Sequence, residues 1–154
     1  MATLDSIDDA VNAAKHIGLN VNVFEDGDIS IDPYIPSMWA SFSKQAWHTN
    51  VPLFIQCYGD SEIVVIARTE APPLSEFTLP PDIDLQIQAL SSSRYAIIDG
   101  VPTLLKLIDI ALAHGWSVVS DMYFFPLEGG FLGYLSHHDD ESISISRDAT
   151  STRR

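Results

Sequence analysis

The densest group of side chains that could carry chemistry is the run His137, His138, Asp139, Asp140 and Glu141. Imidazole suits zinc, nickel or copper, whereas carboxylates suit harder ions. Neighbouring residues of an extended chain point to opposite faces, so only two or three of these side chains could reach one ion without a special turn. We therefore predict a solvated acidic loop, with a metal site at His137, His138 and Asp139 as the alternative. We expect no bound cofactor.

Cys57 is the single cysteine, and with one of the five histidines as its base it would be a candidate nucleophile. However, Leu53, Ile55 and Cys57 share one face of a predicted strand, which favours a small buried core residue. A lone cysteine also excludes an internal disulfide and a cysteine-rich zinc module. Its presence indicates a reducing compartment, and we expect the cytoplasm.

Motifs for hydrolysis and for nucleotide binding are missing from the sequence. The segment around Ser117 lacks the final glycine of a nucleophile elbow. Gly129 and Gly130 fit the turn of a hairpin rather than a phosphate-binding loop. We therefore predict a protein without enzymatic activity, and the alternative is a small hydrolase that uses a histidine and a carboxylate.

The charge is strongly acidic, with 21 Asp and Glu against 8 Lys and Arg and a formal net charge of -13. Arg147, Arg153 and Arg154 lie in the last eight positions, so residues 1–146 carry 20 acidic and 5 basic residues, a balance of -15. A field of this sign repels nucleic acid and anionic membranes and attracts cationic partners. We expect a basic protein partner and no direct binding to nucleic acid or membrane.

The first half of the chain contains the clearest local signals. Apolar residues at helical spacing predict a helix over about 4–17, with Ser6 as its cap. Alternating apolar residues around an Asp-Gly turn predict a hairpin over 21–31. A short helix is predicted over 36–48, and a second hairpin over 53–68 whose later strand is central and covered on both faces.

The second half continues with alternating elements after a proline-rich connection at 69–81. We predict strands at 83–88 and 95–98, a largely buried helix at 102–114, a hairpin of 116–125 and 131–136, and a strand at 142–146. The fold class is α+β: a mainly antiparallel sheet of hairpins packed by two or three helices.

The domain organisation that we predict is a single domain over 1–146 followed by a flexible tail at 147–154. Each side of the proline-rich connection contains a helix that ends at a glycine and is followed by a hairpin. We attribute this to chance use of the same helix-to-strand pattern, and the alternative is that the segments 1–70 and 82–146 are similar halves.

A protein interface is the most suggestive feature of the second half. Tyr123, Phe124 and Phe125 are adjacent and cannot all point inward from one strand. We expect Tyr123 and Phe125 to be exposed anchors, and the alternative is a strand covered on both faces. The acidic contacts that we expect lie in the first hairpin and the last loop: Glu25, Asp26, Asp28, Asp139, Asp140 and Glu141.

The function that these features favour is an inhibitor that blocks a basic or nucleic-acid-binding protein. Immunity proteins, antitoxins and phage anti-defence inhibitors, some of which mimic DNA charge, share this size and charge but no motif with the chain. Besides the hydrolase, the alternative is a structural subunit of a phage or secretion assembly in which exposed aromatic side chains mediate self-association.

Overall fold

The computed structural model of the protein describes residues 6–25, 28–32, 34, 37–42, 56–67, 95–114, 122–135 and 143–148. These residues form two α-helices, a short 3-10 turn and eight strands. The strands make a two-stranded and a six-stranded sheet in which every neighbouring pair is antiparallel. The predicted α+β class with a mainly antiparallel sheet is confirmed.

Helix α1 spans Ile7–His16, as the apolar spacing predicted. The Ser6 side chain accepts a hydrogen bond from the Asp9 backbone N–H at 3.3 Å, which satisfies one of the amides that a helix start leaves without an intrahelical partner. Gly18 follows the helix with a φ of 89°, a value that glycine adopts without the strain of a side chain. α1 buries Ala10, Val11 and Ala14.

The predicted first hairpin is present as β1, Asn20–Val23, and β2, Ile29–Asp32. The two strands pair antiparallel from Asn20↔Asp32 to Val23↔Ile29 and form the small sheet. Ile29 and Ile31 are buried, so one face of this hairpin packs on the core.

The larger sheet has the order β3-β8-β7-β6-β4-β5. Its strands are β3, Ser37–Phe42; β4, Glu62–Ala67; β5, Tyr95–Asp99; β6, Met122–Pro126; β7, Phe131–Leu135; and β8, Ile143–Asp148. β4 pairs with β5 on one side and β6 on the other, and residues 63–66 are fully buried. The prediction that this strand is covered on both faces is confirmed, whereas its predicted central place is not, because β4 lies next to β5 at the end of the strand order.

The helix predicted over 36–48 is wrong for residues 37–42, the part that the structure describes, because these residues form β3. It pairs along its whole length with β8, from Ser37↔Asp148 to Phe42↔Ile143. A complete ladder outweighs a weak helical spacing, because secondary-structure propensity is readily overridden by tertiary context. Met38, Ala40 and Phe42 also alternate in the sequence at the spacing of a strand.

The second predicted hairpin is wrong at residues 56–58, which form a 3-10 turn. Gly59 N–H donates to the Gln56 carbonyl at 3.1 Å, and Ser61 N–H donates to the Tyr58 carbonyl at 2.9 Å. Both edges of β4 are already paired with β5 and β6, so no edge remains for a strand here. The strand face that we predicted for Cys57 is therefore absent.

Helix α2 spans Gly100–His114, so it begins two residues before the predicted start. Gly100 has a φ of 79°, and a Cβ there would lie 2.5 Å from the Gly59 carbonyl oxygen. Lys106 and Asp109 are exposed on this helix. Among its side chains up to Asp109, those that are buried are Val101, Leu104, Leu107 and Ile108.

The part of the six-stranded sheet that contains β4, β6 and β7 is covered on both faces. On one face α1 and the small sheet pack against Val64, Ile66, Tyr123, Phe125 and Leu132. On the other face Phe131 lies 6.2 Å from Phe124 and 5.1 Å from Tyr58, measured between ring centroids. α2 contacts β4, β5 and the 3-10 turn that carries Tyr58.

The tail predicted over 147–154 begins too early, because Arg147 and Asp148 belong to β8. The tail cannot begin before residue 149. The proline-rich connection at 69–81 and the predicted strand at 83–88 lie outside the described residues. The hairpin of the first half forms the small sheet, whereas the β6–β7 hairpin belongs to the large one. The internal repeat stays an untested alternative.

Candidate functional site

The predicted aromatic anchors are buried, so the prediction that Tyr123 and Phe125 are exposed is wrong. Their exposed fractions are 5% and 0%. β6 lies between β4 and β7, and the centroids of the Tyr123 and Tyr134 rings are 4.6 Å apart. The alternative, a strand covered on both faces, is confirmed.

Exposed large apolar side chains occur instead at the end of the β1–β2 hairpin. Among the described residues they are Val23, 59% exposed, and Phe24, 50% exposed. Glu25 follows directly and is exposed, and Asp28 precedes β2 and is partly buried. We call Val23, Phe24, Glu25 and Asp28 the hairpin tip.

The exposure of Phe24 follows from its position in the ladder. Its backbone N–H donates to the Asp28 carbonyl at 2.9 Å, which extends the β1–β2 pairing by one residue. Side chains alternate between the two faces of a strand, so Phe24 shares a face with the exposed Asn20 and Asn22. The opposite face carries Ile29 and Ile31 into the core. Phe24 is therefore an aromatic residue on the solvent face of the hairpin.

Two acidic residues neighbour Phe24, one across the ladder and one along the chain. Asp28 is the cross-strand partner of Phe24, and such pairs place their Cβ atoms about 4.5–5.5 Å apart. The Asp28 Oδ1 atom accepts a hydrogen bond from the Ile29 N–H at 2.9 Å, which holds the carboxylate at the start of β2. Glu25 follows Phe24 in the turn, while Asp26 lies outside the described residues. An apolar group beside two carboxylates suits a cationic surface that also offers an apolar recess.

The base of the hairpin is anchored to the rest of the fold. Tyr34 N–H donates to the buried Ser146 Oγ at 2.9 Å, and the Tyr34 hydroxyl donates to the Ile17 carbonyl at 3.3 Å. On the solvent face, Asn20 Nδ2 donates to Asp32 Oδ2 at 2.8 Å. The hairpin tip is thus presented from a base that is tied to α1 and to β8.

The second acidic cluster, Asp139, Asp140 and Glu141, lies outside the described residues, as do His137 and His138. Across the residues that are described, no group of three or more His, Cys, Asp or Glu side chains could hold a metal ion. The metal site at His137, His138 and Asp139 stays an untested alternative. In the same part of the chain, no helix has the length and apolar character needed to cross a membrane.

The residue that the sequence reasoning missed is Phe24. Its signal was available, because apolar residues in this segment fall at 21, 23, 29 and 31, whereas Phe24 falls on the opposite parity beside asparagines and aspartates. An aromatic residue on the polar face of an alternating hairpin is exposed unless another element covers it.

Comparison with known proteins gives no further guide to the site. No protein family, curated protein or solved structure matches the chain.

Proposed function

We propose that the protein is a small acidic, non-enzymatic inhibitor that occupies a basic surface of another protein, one that itself binds nucleic acid. One observation carries the proposal: the half-exposed Phe24 has Asp28 opposite it in the ladder and Glu25 next to it in the chain, on a protein with a net charge of -13. Aromatic residues are enriched among the few side chains that contribute most to binding energy, and they work best when the partner encloses them.

Charge and apolar contact have separate tasks in this proposal. The net negative field accelerates encounter with a cationic surface and makes association sensitive to salt. Phe24 contributes after contact: a phenylalanine buries roughly 150–250 Å², so the half that is exposed would add roughly 75–125 Å². At about 25 cal/mol per Å² this area is worth about 2–3 kcal/mol.

The wider assignment follows from the same charge. A protein that competes for a nucleic-acid-binding surface acts in the compartment of its target, and we propose the cytoplasm. The acidic loop at Asp139, Asp140 and Glu141 would supply a second set of contacts. Immunity proteins, antitoxins and phage anti-defence inhibitors are the classes that this proposal fits.

The test is affinity capture of the tagged protein from a bacterial lysate at low and at high salt, with the retained proteins quantified by mass spectrometry. We expect one basic protein at low salt that is lost at high salt. Glu25→Lys and Phe24→Ser should each reduce its capture. Asp60→Lys is the matched control, because Asp60 is also an exposed acid in a turn but lies beside the start of α2.

Two results would contradict the proposal. Retention of no basic protein at low salt would remove the partner class. Equal losses for Glu25→Lys and Asp60→Lys would show that only the total charge matters and that the hairpin tip has no role.

A further inference from the structure

The β1–β2 ladder determines which backbone groups of β1 face away from β2. Hydrogen-bonded and non-hydrogen-bonded pairs alternate along an antiparallel ladder. The Phe24 N–H bonds to the Asp28 carbonyl, so Val23↔Ile29 and Val21↔Ile31 are the non-hydrogen-bonded pairs. The N–H and C=O groups of Val21 and Val23 therefore point outward, along the edge of β1 opposite β2.

Most residues along this outer edge of β1 are exposed. Asn20, Asn22 and Val23 have exposed side chains, and within the described residues β1 pairs only with β2. The outward groups at Val21 and Val23 are spaced as an incoming strand needs them, because its own bonding residues also recur at every second position.

The sequence of β1 contains none of the residues that usually protect an edge strand. Edge strands are commonly protected by lysine, proline, charged side chains or a bulge. β1 reads Asn20-Val21-Asn22-Val23, with no charge and no proline. The acids lie around it instead, with Asp32 paired opposite Asn20 and with Glu25 beyond the other end. A strand that adds here enters a negative field.

We propose that the outer edge of β1 pairs with an extended segment of the partner that carries lysine or arginine at alternate positions, so that the small sheet gains a third strand. The inference rests on the proposed function and specifies how the partner is bound. Basic side chains of the added strand would lie on the solvent face, the face of Asp28 and Asp32, and apolar ones would lie on the face of Val21 and Val23. A second copy of the chain is a poor occupant, because two copies that each carry -13 repel one another.

The first test uses synthetic peptides on the unaltered protein. The probe is a blocked, fluorescent eight-residue peptide of alternating Lys and Val, and its binding is measured by fluorescence anisotropy. We expect it to bind, and N-methylation of alternate residues on one edge of the peptide should weaken binding by about tenfold or more, through loss of backbone hydrogen bonds. N-methylation on the other edge should have little effect, and replacement of Lys by Glu should abolish binding.

The second test uses a matched pair of variants at Val23. Val23→Pro removes the outward N–H but keeps an apolar side chain, and an edge strand tolerates proline where the N–H faces outward. Val23→Thr keeps the N–H and the shape but loses the apolar character. We expect Val23→Pro to weaken peptide binding by about tenfold and Val23→Thr by less than about threefold. Circular dichroism and urea unfolding confirm that both variants are folded.

Several outcomes would overturn the inference. If both methylated peptides bind as tightly as the parent peptide, binding is electrostatic and involves no strand pairing. Failure of the parent peptide to bind at millimolar concentration would also refute the inference. A loss in Val23→Thr with full binding in Val23→Pro would indicate apolar contact without strand pairing. A dimer that dissociates on dilution and is abolished by Val23→Pro would make a second copy the occupant.

The lysate capture separates this inference from the proposed function. Capture that responds to Glu25→Lys but not to Val23→Pro refutes strand addition alone. If Glu25→Lys does not change the amount of basic protein captured, the proposed function itself is refuted.

Discussion

At Gly133 the packing of the large sheet leaves no room for a side chain. It pairs directly across from Phe124 of β6. A Cβ at Gly133 would overlap the Cε2 and Cζ atoms of that ring and would lie 2.6 Å from Cδ2, whereas real Cβ contacts under 3.0 Å are essentially never seen. Phe124 is fully buried and packs edge-on against Phe131, so its ring has no open space to enter. We predict that Gly133→Ala destabilises the protein.

The magnitude follows from two opposing effects. Extra volume in a well-packed core costs about 1–3 kcal/mol, and three ring atoms in conflict place this site at the upper end. Alanine restricts the unfolded chain and returns about 0.4–1 kcal/mol. The free energy of unfolding should therefore fall by about 2 kcal/mol, and Tm by about 4–8 °C for a domain of this size.

Urea unfolding of a double-mutant cycle provides the assay. Phe124→Leu removes the ring edge that the new methyl group meets, so Gly133→Ala in that background should be close to neutral. Additive losses in the double variant would show that Phe124 is not the obstacle. A single Gly133→Ala variant as stable as the parent would refute the packing described for β6 and β7.

Three further predictions concern the base and tip of the hairpin and the β6–β7 turn. Ser146→Ala should lower the free energy of unfolding by about 1–3 kcal/mol in urea titration, because it leaves the Tyr34 N–H without its buried acceptor. Gly130→Ala should lower the thermal midpoint, because Gly130 has a φ of 118° and a Cβ would lie 2.6 Å from Tyr58 Cε1; an unchanged midpoint would contradict this contact. Phe24→Ser should leave the free energy of unfolding within about 0.5 kcal/mol while it weakens partner affinity by about 30-fold, and a large loss of stability would show that Phe24 belongs to the core.

Local signals in the sequence were sufficient for several elements. Helix α1 with its Ser6 cap and the β1–β2 hairpin around Asp26-Gly27 depend on residues that lie close together in the sequence. The apolar run of β4 also indicated burial on both faces, because only a strand covered on both faces tolerates such continuity. These elements were therefore predictable.

The errors fall where distant segments decide the outcome. β3 is a strand because it pairs with β8, about a hundred residues further along the chain, and no local pattern reports that pairing. Residues 56–58 are a turn because β5 and β6 occupy both edges of β4. Tyr123 and Phe125 are buried because α1 and the small sheet cover that face of β6.

The candidate site was predictable in its charge but not in its anchor. Glu25 and Asp28 stand at the end of the first hairpin, as the turn signal indicated. The cluster of aromatic residues in β6 indicated the wrong anchors. A strand that is covered on both faces buries adjacent side chains too, one on each face. Phe24 was identifiable only from its parity relative to its neighbours.

The most direct test of the central claim is the dissociation constant of the purified, captured partner, measured over a range of salt for the parent protein and for Phe24→Ser. We expect Kd to rise with salt for both proteins, and the variant to bind about 30-fold more weakly at every salt concentration. A Kd that does not depend on salt would contradict an electrostatic partner. Equal Kd values for parent and variant would contradict the hairpin tip as the binding site.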